Sequence, residues 1–202
     1  MKNYSQSREQ EIIFRELSSI QNGNFLDIGA HDGESLSNTR ALALSGWSGT
    51  LVEPNPNLFL RLVGLYGQDP KITLINSAMS DKSGLVRFFY DGSHYQYSSS
   101  IAENVKELFP DTPFTATYLV NAISPKDVEG QKFDFVSIDT EGYDLPILVA
   151  LRGILDETTL VCIEYNYTDL KGLGAILEEL KYQGFAEVDR TTENIMAKKV
   201  YE

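Results

Sequence analysis

The sequence predicts a Rossmann-like α/β fold with a mostly parallel sheet, and three observations predict it. Short apolar runs alternate with amphipathic stretches along most of the chain. A glycine-bearing turn, Gly29-Ala30-His31-Asp32-Gly33, follows the first apolar run. An acidic residue, Glu53, ends the second. Alternation of this kind builds βαβ units, whose strands lie parallel.

The elements follow in order. Ile12, Ile13, Leu17 and Ile20 recur at helical spacing and predict an N-terminal helix over 8–20, stopped by Gly23. Asn24 to Ile28 suits a buried strand. Ser35 to Ser45 reads as a helix with Gly46 as its exit, and Thr50 to Glu53 as a second strand. Asn57 to Tyr66 is helical. Ile72 to Ile75 and Leu85 to Tyr90 read as strands. Residues 91–115 are polar and aromatic and lack periodicity. They predict a mobile segment with one short helix, Ile101 to Phe109, within a variable acceptor or lid region of about 91–125. Phe133 to Ile138 is a strand, Leu145 to Leu151 a helix, Leu160 to Glu164 a strand and Leu173 to Tyr182 a helix. Phe185 to Asp189 and Ile195 to Val200 form a terminal hairpin, an antiparallel edge on the sheet.

At 202 residues the chain fits one domain spanning 1–202. Apolar residues at 42% and charged residues at 23% are ordinary for a globular protein, with enough core to fold without a disulfide or metal. The single cysteine, Cys162, permits no intrachain bridge and fits a reducing, cytoplasmic setting. The first residues carry no apolar signal region, and no stretch is long enough to span a bilayer. A net charge of −12 without a Lys/Arg cluster argues against a nucleic-acid or membrane-surface partner. It suits a small acceptor molecule that is neutral or cationic. The oligomeric state is not legible.

The loop after the first strand selects its ligand by charge. Gly29 permits a tight turn and close approach of a ligand to backbone, and Gly33 lets the next helix begin near the strand. A nicotinamide loop needs a middle glycine and a helix terminus open to pyrophosphate. Here the middle glycine is missing, and Asp27, Asp32 and Glu34 would repel a diphosphate. A donor with an ammonium, a sulfonium and no phosphate fits better, and S-adenosylmethionine has those groups. Glu53, 20–25 residues on, is placed to accept from ribose hydroxyls. The plainer structural alternative makes Asp27 a helix cap and Glu53 a solvated strand end.

With these residues in view, the chain resembles the FkbM family of methyltransferases. The resemblance rests on Phe25-Leu26-Asp27-Ile28-Gly29-Ala30-His31-Asp32-Gly33, Ser37-Asn38-Thr39 and Gly46-Trp47-Ser48-Gly49. It continues through Val52-Glu53-Pro54-Asn55-Pro56 and the run Phe135 to Asp144, which contains Asp139-Thr140-Glu141-Gly142-Tyr143-Asp144. It covers about Asn24 to Val200. The resemblance implies a class I methyltransferase fold, S-adenosyl-L-methionine as cofactor and O-methylation of small molecules and sugars. It also implies cofactor contacts at Asp27, Gly29, Ala30, His31, Gly33, Asn38, Glu53, Pro54 and Asp139, with Ser77, Ala78 and Met79 near the adenine. His31 stands where many members are expected to carry Asn.

A hydroxyl acceptor needs alignment with the methyl carbon and a base for its proton. Asp139, after the fourth core strand, is the first candidate base and Glu141 the second. For each, a purely structural role stands beside it: Asp139 capping the next helix, Glu141 bonding a loop backbone. His94, in the variable segment, is a third candidate, since imidazole titrates near neutrality. Tyr90, Tyr95, Tyr97 and Phe114 are candidate pocket walls or lid packing, and Glu164-Tyr165-Asn166 borders the same region. Asp139, Glu141 and Asp144 have the chemistry to approach an ion such as Mg²⁺, but their spacing is no recognisable ligand set, and no metal is expected. Two other functions stay open: a catalytically idle domain that binds the adenosyl cofactor or a partner, and a nicotinamide oxidoreductase, which the acidic loop disfavours.

Overall fold

The computed structural model describes residues 2–90, 116–165 and 169–200. In chain order the elements are α1 (Glu9–Glu16), β1 (Asn24–Ile28), α2 (Arg40–Leu44), β2 (Ser48–Val52), α3 (Pro56–Tyr66), β3 (Ile72–Ile75), β4 (Ala78–Met79), β5 (Gly84–Tyr90) and β6 (Ala116–Ile123). After a 3-10 turn at Pro125–Val128 come β7 (Phe135–Ile138), α4 (Asp144–Ala150), α5 (Arg152–Leu155), β8 (Leu160–Glu164), α6 (Leu170–Tyr182), β9 (Phe185–Arg190) and β10 (Asn194–Lys199).

Seven strands form the central sheet in the order β3-β2-β1-β7-β8-β10-β9. All pairs from β3 to β8 are parallel, and β10 is antiparallel to both neighbours. The sheet is therefore mostly parallel, as the alternating elements predict. β1 sits between β2 and β7, where the chain reverses its direction of travel across the sheet. Open α/β sheets bind ligands at the carboxyl ends of strands at such a point.

The alternation of side chains assigns the two faces. Phe25 of β1 packs with Ile12 and Ile13 of α1, Leu42 of α2 and Leu62 and Tyr66 of α3. Leu26 and Ile28 point the other way, into a core with Ile147 and Leu148 of α4 and Ile176 and Leu180 of α6. Strands covered on both sides must be apolar on both sides, and β1 reads Phe-Leu-Asp-Ile after its first residue. Asp27 is the exception, and it lies on the Phe25 face. No helix among the described residues is long and apolar enough to cross a membrane.

Three expectations change, and a fourth holds. The helix expected over Ser35 to Ser45 shrinks to Arg40–Leu44, because Leu36 takes a left-handed φ of +57° and Ser37 turns back to cap the Arg40 N–H at 3.0 Å. The N-terminal helix ends at Glu16 rather than residue 20. The terminal hairpin forms the expected antiparallel edge, with β10 against β8 and β9 outermost. The burial of Ile195, Met196 and Ala197 explains this, since the more polar β9 is the better strand to leave outermost. Finally, part of the region assigned to a variable lid, 116–123, is the strand β6. It pairs with β4 and β5 in a second sheet around Phe88, Val120 and Ala122. The expected helix 101–109 lies outside the described residues.

Candidate functional site

The site begins at the carboxyl end of β1. Gly29 and Ala30 donate their N–H groups to the Val52 carbonyl at 3.0 and 3.1 Å, and Asp139 donates its N–H to the Ile28 carbonyl at 3.0 Å. The loop after β1 is thereby sewn to the ends of β2 and β7. Gly29 has φ +84°, and a Cβ built on it would overlap the Asp139 carbonyl oxygen. The space that glycine leaves is thus taken by backbone, not held open for a ligand. Gly33, at φ +75°, lies against Leu62 and Tyr66 of α3, and the Tyr66 hydroxyl donates to its carbonyl at 2.9 Å. Its reason is the packing of the loop on α3, since the next helix begins only at Arg40.

Asp27 is 5% exposed and accepts from the Thr39 hydroxyl at 2.5 Å. It caps no helix. Burial pushes its carboxyl up to about 6, against the lowering effect of Thr39. Asp32 belongs to the loop itself. It accepts from the N–H groups of Glu34 and Ser35 at 3.0 and 2.7 Å and from the Ser35 hydroxyl at 2.9 Å. Burial raises its pKa, but these bonds outweigh burial and leave the group below the ordinary carboxylate range.

Glu53 is 4% exposed, not a solvated strand end. One carboxylate oxygen accepts from the His31 N–H at 2.9 Å and the other from the Asn55 N–H at 2.7 Å. His31 contributes through its backbone at φ +52°, while its ring lies 3.6 Å from Asp32. Asn55 caps α3, accepting from Asn57 and Leu58, and Pro56 opens the helix. Burial, with Asp27 and Asp139 nearby, pushes Glu53 up to about 8. Asn76 donates to the Glu53 carbonyl at 2.8 Å and the Pro54 carbonyl at 3.4 Å, tying the end of β3 to that of β2. Ser77, Ala78 and Met79 follow and are buried, Ala78 beside Phe88 and Met79 in the core that holds Val52.

Register sets the rest. Asp27, Ser137 and Cys162 lie side by side on one face of β1, β7 and β8. Asn38 covers this row, donating to the Ser137 hydroxyl at 3.4 Å and the Cys162 sulfur at 3.6 Å. Its carbonyl oxygen is buried without a partner. Two residues further along each strand stand Gly29, Asp139 and Glu164. Burial and Asp144 push Asp139 up to about 7.

Asp139 does not cap the following helix. Tyr143 stands at the N-cap without a side-chain bond, and Asp144, the first helical residue, reaches back to accept from the Thr140 N–H and hydroxyl at 2.7 and 3.0 Å and from the Gly142 N–H at 3.0 Å. Asp144 thus holds the turn rather than the cleft. Glu141 sits in that turn at φ +55°. The structure therefore brings together Asp27, Gly29, Ala30, His31, Glu53 and Asp139 at the switch point, with Asn38 beneath. Glu164, expected only at the border of the acceptor region, belongs with them. The sequence signal for it is its place as the acidic end of the strand β8. His94, Tyr95, Tyr97, Phe114 and Asn166 lie outside the described residues, as does the Tyr90 side chain.

A methyltransferase FkbM domain model matches residues 27–187. Among solved structures, the methyltransferase FkbM from Methylobacillus flagellatus KT is similar at 17% identity and a TM-score of 0.56, covering 88% of this chain and 43% of that one. The chain thus spans less than half the length of that relative. A putative RNA methyltransferase from Pyrococcus horikoshii is similar at 15% identity and a TM-score of 0.55, over 96% of this chain and 84% of that one. The precorrin-6y C5,15-methyltransferase from Geobacter metallireducens GS-15 is similar at 14% identity and a TM-score of 0.53, over 99% and 93%. These likenesses show the class I methyltransferase fold. No curated protein matches the chain.

Proposed function

On the premise that the chain belongs to the FkbM methyltransferase family, which the match over residues 27–187 establishes, we propose that it moves a methyl group from S-adenosylmethionine to a hydroxyl of a small molecule, a saccharide or a saccharide-bearing metabolite. The observation that carries this reading is the pairing of two buried carboxyls, Asp27 and Glu53, at the switch point of the sheet. Buried acids without a cationic partner are costly. Their raised pKa values record that cost, and a ligand that brings hydroxyls and positive charge relieves it.

The donor set fits that ligand. Each Glu53 oxygen already accepts one backbone N–H and keeps a lone pair for a ribose hydroxyl. Asp27 and the unpartnered carbonyl oxygen of Asn38 are acceptors suited to an ammonium. A diphosphate would meet the same carboxyls with like charge. When bound, S-adenosylmethionine supplies a methyl carbon activated by a positively charged sulfur. Asp139 then stands at the reacting end, held by its N–H on Ile28. Its pKa of about 7 suits a base that takes a proton near neutrality. Glu141 and His94 are the second and third candidates for that proton.

Calorimetry with S-adenosylhomocysteine and with NADH tests the cofactor. Binding of the first and silence of the second is the expected result, and the reverse refutes the reading. Incubation with S-adenosylmethionine and a panel of hydroxylated sugars and glycosides, read by mass spectrometry, tests the acceptor class. Methylation confined to amines would refute the hydroxyl assignment.

A further inference from the structure

We infer that Glu164 is a positioning residue for this transfer: it keeps a proton and donates it to the Asp139 carboxylate, so the two strand ends present one negative charge instead of two. The inference rests on the reading of the crevice as a methyl-transfer site. Its geometry comes from the sheet. β7 and β8 are parallel and in register through Ile138 and Ile163, so the next residues, Asp139 and Glu164, are neighbours. Their carboxyl groups come close enough to share a hydrogen bond. Two carboxyl groups can do so only when one carries a proton.

The surroundings decide which of the two keeps it. Asp139 is faced by Asp27 from β1, Asp144 from the start of α4 and Glu193 from the β9–β10 turn. Glu164 is faced by Asp139, Glu141 and Asp144. Burial pushes Glu164 well above the ordinary carboxylate range and, with Asp144, brings Asp139 up to about 7. Glu164 is then the donor, and Asp139 the group that ionises near neutrality. A second observation points to a ligand here. Asn38 is only 9% exposed, and its amide sits over Ser137 and Cys162, the residues two before this pair, with its carbonyl oxygen unpartnered. A buried acceptor of this kind costs about 1–3 kcal/mol until a donor reaches it.

The step balances. The acceptor oxygen forms its bond to the methyl carbon as the carbon–sulfur bond breaks, and that electron pair stays on sulfur, which becomes neutral. The acceptor's proton passes to Asp139 and then to water. Glu164 holds its own proton throughout, fixing which Asp139 oxygen is free to receive.

The test compares S-adenosylmethionine with S-adenosylhomocysteine, which differ by the methyl group and the positive charge. Calorimetry would measure both affinities from about pH 5.5 to about 8.5 for the wild type, Glu164→Gln and Glu164→Leu. In the wild type the preference for the charged ligand rises about tenfold with a midpoint near 7, the change expected of one pKa unit of linkage. Glu164→Gln, whose amide donates the same bond, keeps that midpoint. Glu164→Leu removes the donor, so Asp139 ionises at higher pH and the midpoint moves up. If both ligands bind but the preference is flat with pH, or the Leu variant keeps the midpoint, the role of Glu164 is overturned and the cofactor reading stands. If neither ligand binds the wild type, the cofactor reading itself fails. Carboxyl ¹³C resonances of the wild type decide the matter should the Leu variant not fold: a protonated Glu164 at neutral pH supports the role, and an ionised one overturns it.

Discussion

The Cα of Gly29 faces the backbone carbonyl of Asp139 so closely that no side chain fits between them. Two strand ends meet there, and both carry functional groups. Gly29→Ala should therefore push β1 and β7 apart at the candidate site, where backbone cannot yield as a side chain would. A cost of about 4 kcal/mol or more is expected, in the range reserved for disrupted cores. Gly130 is the control. It has φ +87° with open space around its would-be Cβ, so Gly130→Ala should cost only the left-handed strain of about 1–2 kcal/mol. Urea denaturation of both variants checks the contrast, and equal costs would contradict it.

Among the described residues, Thr39 is the side chain that offers Asp27 a hydrogen bond, at 2.5 Å. Thr39→Val keeps the shape and removes the donor. At pH 8, where Asp27 is ionised, the loss should be about 2 kcal/mol, as for a buried bond to a charged group. At pH 5, below the Asp27 value of about 6, the carboxyl is protonated and the loss should fall. Thr39→Ser should restore most of the stability. A pH-independent loss would show that the hydroxyl matters only for packing.

That Thr39–Asp27 bond also shows what a sequence can and cannot disclose. β1, β3, β8 and the hairpin were legible because their apolar residues and turn signals agree. The stretch 35–39 was not. It looks helical by its leucines, yet Leu36 at φ +57° and the bonds of Asp32 and Ser37 make it a capped turn that delivers Asn38 and Thr39 to the sheet. β6 is masked in the sequence because its Thr-Tyr-Leu-Val run adjoins a stretch without periodicity, although β-branched and aromatic residues favour strands. Glu53 and Asp27 were legible as a spacing. The meeting of Asp139 with Glu164 was not, since it depends on β7 and β8 being neighbours, a fact of sheet order and not of local pattern.

The raised carboxyls make stability fall as pH rises. Asp27, Asp139 and Glu53 have folded values of about 6, 7 and 8, above their ordinary 3.8, 3.8 and 4.5. Between about pH 4 and 8 the folded protein therefore holds protons that the unfolded chain has released. The stability these groups contribute is full below about pH 4 and lost as pH climbs through the folded values. Glu16 and Glu179, lowered first by hydrogen bonds from Arg15 and Arg152, act in the opposite sense but only below about pH 4.5. The ligand-free protein should thus melt several degrees lower at pH 8 than at pH 5.5, since about 1 kcal/mol moves the midpoint by about 2–4 °C at this length. Glu53→Gln should flatten the upper part of the curve. Thermal scans across pH check both, and a melting temperature that rises from pH 5.5 to 8 would contradict the burial of these charges.

Glu53 links the same titration to ligand binding. At pH 7 a carboxyl with a value of about 8 is mostly protonated. Ribose hydroxyls that donate to it favour the ionised form, so binding should drive its proton into solution. S-adenosylhomocysteine is the cleaner probe, because its sulfur is neutral and adds little pull on Asp139. Its binding enthalpy, measured at pH 7 in buffers of different ionisation enthalpy, should vary with a slope corresponding to release of nearly one proton. At about pH 9 Glu53 is already ionised and the slope should vanish. Glu53→Gln should remove the slope at pH 7 and weaken binding as well, since an amide presents one acceptor where the carboxylate presents two. A wild-type slope of zero at pH 7, with tight binding retained, would mean that Glu53 does not receive the ribose.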